Sequence, residues 1–176
     1  LIISNQALHF YDLSSVITDC FRVLKDGGLF LFSSLGPDSF KELRSAWSEA
    51  QDKFSHVHRF YDMHIIGDIL KKARFLDPVM DCQWVDFKYR NIEQLFYELK
   101  GMGEQYIDIS RRKSLTGKSL WNNMLDAYPK SEDGFYPVCM EYIFGHAIKP
   151  DSKDLRASSM KNGVARVAVS NIDKLI

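Results

Sequence analysis

The sequence predicts an α/β fold, an open sheet whose first strands run parallel, and three observations carry this prediction. The chain has 176 residues, 45% hydrophobic and 26% charged, which is the composition of about one ordinary globular domain. Its first 32 residues follow the order strand, helix, two glycines, strand, as in a βαβ unit. The later apolar patterns give two helices, a strand, a further pair of helices and a last strand.

The βαβ unit is predicted element by element. Residues 1–3 form a short buried strand, and residues 16–24 place their apolar side chains on one helical face. Asp12 or Ser14 can cap this helix, because their side-chain oxygens accept from backbone N–H groups that have no partner in the first turn. Residues 29–32 are a continuous apolar run, as expected of a strand covered on both faces.

Two further helices follow the unit. Residues 40–50 and 65–73 each carry apolar side chains at helical spacing, and Asp38 or Ser39 is the predicted cap of the first of them. Residues 54–62 between the two helices are predicted to be irregular and are rich in histidine and aromatic residues.

The last two predicted strands, 79–89 and 137–148, are separated by an insertion. In the first of them the alternation changes phase between Trp84 and Val85, which predicts a β-bulge or a twist at that point. Residues 91–130 contain two helices and have the length and mixed character of a lid. We therefore expect one domain over residues 1–150, followed by a more polar C-terminal extension, 151–176, with one short strand candidate at 165–169.

Composition excludes several classes of function. The 23 Lys and Arg residues balance the 23 Asp and Glu residues, so no chain-wide basic field is available for nucleic acid or an anionic membrane. No apolar run approaches the roughly 20 residues needed to span a bilayer. Cys20, Cys82 and Cys139 are far apart in sequence and form no metal-ligand pattern, so we expect no metal site, reduced thiols and a cytoplasmic location.

The start of the chain predicts a missing portion. The sequence opens without methionine on the apolar run 1–3, so we expect a fragment whose upstream part is absent. The alternative is a chain that simply begins on a strand. A fragment that starts at an inner strand leaves one sheet edge unpaired, so it is expected to self-associate when expressed alone.

The expected ligand site follows from the sheet. In open α/β sheets, ligands bind beyond the carboxyl ends of the parallel strands. Those ends correspond here to residues 4–9 and 33–38, together with whatever covers them.

Specific segments resemble a known class of enzyme. Residues 4–10 (SNQALHF) and 22–29 (RVLKDGGL) resemble the fourth strand, the following helix and the fifth strand of class I S-adenosylmethionine-dependent methyltransferases. Further segments resemble one family in that class, the BioC-type malonyl-[acyl-carrier protein] O-methyltransferases of biotin synthesis. These segments are 34–37 (SLGP), 42–44 (ELR), 58–64 (HRFYDMH), 66–68 (IGD), 77–81 (DPVMD), 111–117 (RRKSLTG) and 145–147 (GHA).

The resemblance implies a fold, a reaction and its partners. It implies a Rossmann-like methyltransferase sheet from the fourth strand onward, with a helical lid before the last strand. The implied reaction moves the methyl group of S-adenosylmethionine onto the free carboxylate of malonyl-acyl-carrier protein, an early step toward biotin. The glycine-rich first motif and the acidic residue that holds the cofactor ribose are absent from this chain and are expected upstream of Leu1. The chain by itself is therefore expected to be inactive.

Candidate site residues come from the same resemblance. Asn5 and Ala7 are expected to border the methionine part of the cofactor; the alternative for Asn5 is a turn-forming residue. His58, Arg59 and Tyr61 are expected to line the acceptor pocket, with Arg59 orienting the carboxylate. The alternative is a surface histidine and an arginine paired with a neighbouring acid. No residue is assigned a catalytic role, because a carboxylate is already ionised at neutral pH and needs no general base.

A basic cluster is the remaining candidate. Arg111, Arg112 and Lys113 are expected to bind the acidic carrier protein or the phosphate of its phosphopantetheine, since arginine matches phosphate geometry. The alternative is an ordinary solvated surface.

Two other functions stay open at this point. One is a methyltransferase-fold assembly factor or hydroxylase, similar to the mitochondrial complex I factor that modifies arginine, which residues 101–104 (GMGE) would suit. The other is a truncated, non-catalytic interaction module.

Overall fold

The computed structural model describes residues 1–103 and 111–151. Within them the strands are β1 (Ile2–Ser4), β2 (Leu29–Leu35), β3 (Leu76–Tyr89) and β4 (Tyr136–Ile148). The helices are α1 (Leu13–Val23), α2 (Lys41–Glu49), α3 (Met63–Lys72), α4 (Ile92–Met102) and α5 (Lys118–Ala127), and a 3-10 turn covers Leu8–Phe10. The strand candidate at 165–169 and the rest of the predicted extension after Asp151 lie outside the described residues.

The strands form one mixed sheet. Its order is β1-β2-β4-β3, with β1 parallel to β2 and the other two pairs antiparallel. The parallel first pair is the βαβ unit that the opening residues predict, with α1 as its crossover. The two-helix insertion before the last strand is also confirmed, because α4 and α5 separate β3 from β4.

One face of the sheet carries an apolar core. Phe30 and Phe32 of β2 and Ile143 of β4 pack there with Ile17 of α1 and Leu70 of α3, and all five are nearly or completely buried. Burial of such side chains stabilises the fold by roughly 1.5–3 kcal/mol each.

The opposite face is exposed, so the predictions of a buried strand at residues 1–3 and of a second strand covered on both faces are wrong for the described residues. Ile3, Leu31, His146 and Val79 are paired in one row across the four strands, and the three aliphatic members are 63%, 42% and 54% exposed. Phe144 on the same face is 42% exposed. An apolar sheet face of this kind is normally covered by another layer.

The two long strands extend past the rest of the sheet. β2 ends at Leu35, which is paired with Tyr142, and beyond that pair β3 and β4 continue alone as a two-stranded ribbon. A second core lies on this ribbon, where α2, α4 and α5 meet. Its fully or nearly buried members include Leu43, Ala46, Ile92, Leu95, Met124 and Val138.

A bulge between Trp84 and Val85, one of the two alternatives predicted for β3, is wrong. Pairing with β4 is unbroken from Val79 to Tyr89, and the irregularity lies between Leu76 and Val79, where Pro78 has no N–H to donate. Trp84 and Val85 are both exposed on this edge strand, at 58% and 38%. The change in apolar alternation between them therefore does not mark a change in which residues face the core.

The predicted cap of α2 is also wrong. Phe40 occupies the cap position with φ of 57°, in the left-handed region, and no side chain caps the helix. The Ser39 hydroxyl is instead paired with the backbone of Glu141, donating to its oxygen at 3.1 Å and accepting from its N–H at 3.0 Å. Contacts with β4 therefore override the local capping preference. The predicted cap of α1 is confirmed at Asp12, whose carboxylate accepts from the Ser15 N–H at 2.9 Å.

Candidate functional site

Polar groups meet where β1 and β2 end. The Ser33 hydroxyl donates to Asn5 Oδ1 at 2.6 Å and accepts from the Gln6 N–H at 3.1 Å. This arrangement fixes the Asn5 oxygen and leaves its exposed amide nitrogen directed away from Ser33 as a donor. The sheet edge that the βαβ unit predicts as the ligand site therefore carries polar groups in fixed positions.

Gln6 adds an acceptor at the same edge. Its φ is 48°, a left-handed value that is uncommon for a residue other than glycine. Its Oε1 atom is buried and accepts no hydrogen bond from the residues that the structure describes. A buried acceptor in this state costs about 1–3 kcal/mol unless a donor is supplied from elsewhere. Gln6 was not among the predicted site residues, because a lone glutamine carries no sequence signal.

An aromatic cluster lies beside this edge. His9 and Phe10 follow β1, and their ring centroids are 5.7 Å and 5.4 Å from that of His58. Phe60 lies 5.2 Å from His9 and 6.1 Å from Phe40, which joins the loop after β2 to the cluster. His9, His58, Phe60 and Phe40 are all buried. The irregular segment 54–62 is thus folded back over the carboxyl ends of the strands.

The cluster borders a narrow cavity of about 30 Å³. Phe40 and Leu43 line it from one side, His58 and Phe60 from another, and Leu99 of α4 from a third. The cavity has room for no more than a small group, and its walls are mostly apolar. The cavity therefore lies between the helical insertion, to which α4 belongs, and the sheet edge.

The loop after β2 is held by a buried acid. Glu141 of β4 is 6% exposed, and its Oε2 atom accepts from the Asp38 N–H at 2.8 Å. The Gly36 N–H donates to the backbone oxygen of Glu141 at 2.8 Å. From the other side of the loop, Arg44 donates to the Pro37 oxygen at 3.0 Å and to the Ser39 oxygen at 3.2 Å. In the sequence, Glu141 is noticeable because it is an acidic residue inside the largely apolar run 137–148.

The thiol beside Glu141 is unreactive. Cys82 donates to Glu141 Oε1 at 3.3 Å. Burial, with the hydrogen bond and charge of Glu141, raises the pKa of the Cys82 thiol to about 12. A thiol in this state is not a nucleophile at neutral pH.

A second buried acid anchors the segment after α2. The Asp52 side chain is 1% exposed. It accepts from Arg112 Nη2 at 2.8 Å, from His56 Nε2 at 2.6 Å and from the Phe54 N–H at 3.2 Å. Burial alone would raise the pKa of Asp52, but the hydrogen bonds from His56, Arg112 and Phe54 outweigh it and lower that pKa to about 2.

Aromatic contacts complete this anchor. The His56 ring is stacked on Trp47 of α2, with centroids 3.7 Å apart and an interplanar angle of 11°. The Arg112 guanidinium lies 4.9 Å from the Phe54 ring centroid, within cation–π range. Asp52 and His56 were not predicted as functional residues, since neither stands in a recognisable motif.

The structure separates the three predicted acceptor residues. His58 lines the narrow cavity. Arg59 is exposed and makes no hydrogen bond or ion pair with any described residue. Tyr61 packs against the sheet core beside α3. Ala7, predicted near the cofactor, is half-buried between the end of β1 and the 3-10 turn.

The predicted basic cluster divides in a similar way. Arg111 and Lys113 are exposed, whereas Arg112 turns inward to the Asp52 ion pair. Arg111 and Lys113 therefore supply the positive surface charge of the cluster.

Two negative findings apply to the described part of the chain. No group of three or more His, Cys, Asp or Glu side chains there is arranged to hold a metal ion. Each helix within residues 1–103 and 111–151 is too short or too polar to cross a membrane.

Comparisons with solved structures identify the fold. A candidate methyltransferase from Bacillus halodurans C-125 superimposes with a TM-score of 0.54 at 19% identity, over 84% of this chain and 68% of that one. The YcgJ protein of Bacillus subtilis gives a TM-score of 0.52 at 14% identity, over 86% and 64%. The predicted fold class is confirmed as a Rossmann-like methyltransferase sheet with a helical insertion before the last strand.

Comparisons of sequence identify the relatives. Malonyl-[acyl-carrier protein] O-methyltransferase 1 of Coxiella burnetii is 43% identical over 100% of this chain and 61% of its own length. The chain is homologous to the malonyl-[acyl-carrier protein] O-methyltransferases. The enzymes of that name from Nitrosospira multiformis and Legionella pneumophila are 41% and 39% identical over 85% of this chain.

This homology covers part of each relative. The chain spans 49–61% of the length of these three O-methyltransferases. A search of family models found no match. The resemblance read from the sequence motifs is nevertheless confirmed by the relatives themselves, since each carries the family name.

Proposed function

We propose that the protein containing this chain transfers a methyl group from S-adenosylmethionine to the free carboxylate of malonyl-acyl-carrier protein. The observation that carries the proposal is the 43% identity over the whole chain to an O-methyltransferase of that name. The fold and the polar edge formed by β1 and β2 support it.

The donor end of the site fits this assignment. The buried acceptor Oε1 of Gln6 lacks a partner among the described residues, and the neighbouring Asn5 is exposed, with its amide oxygen held by Ser33. S-adenosylmethionine supplies an electrophilic methyl group on a positively charged sulfur, and its amino acid and ribose parts carry both donors and acceptors. We assign Asn5, Gln6 and Ala7 to its binding.

The chain has no base to supply in this reaction. A malonyl carboxylate has lost its proton well below pH 7, so the acceptor arrives in its reactive form. The residues instead orient the two reactants and exclude water, which otherwise solvates the carboxylate. His58, Phe60 and Phe40 serve the second role, because they are buried around the cavity beside the sheet edge.

Arg59 is the proposed partner of the carboxylate, with His58 and Tyr61 beside it. Its guanidinium is exposed and uncommitted among the described residues, so it is available to a ligand. The pairing should be moderate, since the charges of carboxylate and sulfonium both diminish in the transition state and tight binding of the ground state would slow the transfer.

The insertion and the basic residues are proposed to serve the carrier protein. We propose that residues 91–130 act as a lid, since Leu99 lines the cavity. Arg111 and Lys113 attract the acidic carrier protein, which raises its rate of association and makes that rate sensitive to salt.

The proposed function predicts a selective transfer. The full-length protein should move labelled methyl from S-adenosylmethionine to malonyl-acyl-carrier protein but not to the acetyl form, because only the malonyl group has a free carboxylate. Arg59→Ala should raise KM for the malonyl substrate by about tenfold, the value of one charge-assisted contact, and leave donor binding unchanged. Equal labelling of both carrier proteins would refute carboxylate recognition, and unchanged kinetics would remove Arg59 from the site.

We also propose that the chain self-associates when expressed alone. The exposed apolar row through Ile3, Leu31 and Val79 offers a surface that a second copy can cover. Sedimentation should show dimers or larger species, and a monodisperse monomer would contradict this.

A further inference from the structure

We propose that a basic cleft beside the narrow cavity binds the phosphate of the carrier protein's pantetheine arm, an inference that rests on the proposed function. The basic cleft is a depression of about 220 Å³ lined by Arg44, Ser48, Asp52, Lys53 and His56, among others. It lies between the end of α2 and the segment that follows it.

Two cations line the cleft, Arg44 and Lys53. Arg44 donates only to the backbone oxygens of Pro37 and Ser39, and neither of these carries a full negative charge. Lys53 is exposed, and among the described residues its ammonium contacts only the Phe54 ring, at 5.3 Å from the centroid. Asp38 also interacts electrostatically with Arg44, so Lys53 is the cation most accessible to an anion and Arg44 adds to the positive field behind it.

The acid that lines the cleft is already compensated. Asp52 accepts from Arg112 and His56, one on each carboxylate oxygen. With the charge of Asp52 balanced by Arg112, and with Asp38 acting on Arg44 from outside the cleft, Lys53 leaves the cleft lining positively charged. Ser48 adds an exposed hydroxyl that can donate to a phosphate oxygen.

The position of the cleft matches the shape of the substrate. His56 and Val57 line both the cleft and the narrow cavity, so the two spaces adjoin. The cavity in turn borders the rings of His58 and Phe60, which contact His9 after β1. A pantetheine arm carries its acyl group at one end and a phosphate at the other. The cleft therefore adjoins the residues that border the methyl-donor edge, where a site for the phosphate end of such an arm is expected.

Direct binding tests this inference without relying on turnover. Calorimetry on the full-length protein should give a Kd for 4′-phosphopantetheine about tenfold below that for pantetheine, which lacks the phosphate. Lys53→Glu, a change at an exposed residue, should reduce this preference to less than about threefold. The matched control is Lys25→Glu, at an exposed lysine before the turn that begins β2, on the opposite edge of the sheet. It should leave the preference at its original value.

Each outcome decides the proposal. Equal affinity for the two probes, or a preference that survives Lys53→Glu, would overturn the cleft assignment. A preference lost equally in Lys25→Glu would show a general charge effect and would overturn it as well. If the phosphate preference holds while malonyl-acyl-carrier protein is not methylated, the proposed function fails and the cleft stands as an anion site.

Discussion

Gly36→Ala is expected to lower the free energy of unfolding of the full-length protein by about 3 kcal/mol, at the upper end of the usual cost of overpacking. A Cβ atom at Gly36 would lie 2.2 Å from Cδ of Glu141 and 2.4 Å from its Oε2. To relieve the clash, the carboxylate must move and give up its bonds with the Asp38 N–H and the Cys82 thiol. A buried carboxylate without those partners is strongly unfavourable.

The control is another glycine-to-alanine change. An added Cβ at Gly101, inside α4, meets nothing within 4 Å, so Gly101→Ala should stabilise the protein by about 0.5–1 kcal/mol through helix propensity. Adding Glu141→Ala to Gly36→Ala removes the clashing atoms and should restore part of the loss. Urea unfolding measures all of these variants. Equal stability of Gly36→Ala and Gly101→Ala would contradict the close approach.

The same substitution should weaken substrate binding. The loop from Gly36 leads directly to Phe40, whose ring lines the narrow cavity. Phe40 is held in a left-handed conformation that costs about 1–2 kcal/mol, and the Phe40 N–H donates to the Cys139 oxygen at 2.8 Å. A displaced loop lets this ring relax away from the cavity, so KM for the proposed malonyl substrate should rise more than kcat falls.

Asp52→Asn is the second change expected to have a large effect, a loss of about 2 kcal/mol in the free energy of unfolding at pH 7. The pKa of Asp52 falls from its usual 3.8 to about 2 in the folded protein, which corresponds to stability on the order of 2 kcal/mol at neutral pH. The asparagine variant also leaves Arg112, whose side chain is 21% exposed, without its counter-charge.

The sign of the pH dependence follows from the lowered pKa. The folded state binds the proton of Asp52 less readily than the unfolded state, so this contribution is complete above about pH 4 and is lost as the pH falls toward 2. Urea unfolding between pH 2 and 7 should therefore show a smaller acid dependence in Asp52→Asn. Trp47, one of three tryptophans, is stacked on His56 and therefore contributes a fluorescence signal from this region.

A second acid serves as the control for this experiment. Asp68 is exposed on α3, so Asp68→Asn should change stability by less than about 0.5 kcal/mol and should leave the acid dependence as it is in the wild type. If Asp52→Asn and Asp68→Asn have the same free energy of unfolding and the same acid dependence, the ion pair between Asp52 and Arg112 contributes nothing measurable to stability.

Several predictions from the sequence succeeded for a local reason. The glycine pair after α1, the assignment of β2 as a strand and the helical spacing in α3 depend on side chains within a few residues of each other, so they are visible in the chain itself. The bulge in β3 and the cap of α2 failed because a partner strand decides them. Val79–Tyr89 is held in register by β4, and Ser39 is recruited by Glu141.

The candidate site shows the same division. The sequence pointed to the carboxyl ends of the first two strands, and Asn5 is fixed there by Ser33. It gave no sign that Arg112 would turn inward, because its partner Asp52 lies 60 residues earlier in the chain. For the same reason it showed neither the acid Glu141 beside Gly36 nor the orphaned oxygen of Gln6.

By itself, the sequence determined the order and type of the elements, the parallel start of the sheet and the family relationship, because hydrophobic spacing and short motifs are written along the chain. Tertiary structure alone decided which charged groups remain available. The charges of Asp52, Arg112 and Glu141 are buried or paired inside the protein, so a ligand cannot use them. Arg59 and Lys53, in contrast, keep their charges exposed. Such pairing joins residues distant in sequence, and its energy depends on the distance between their atoms and on access of water.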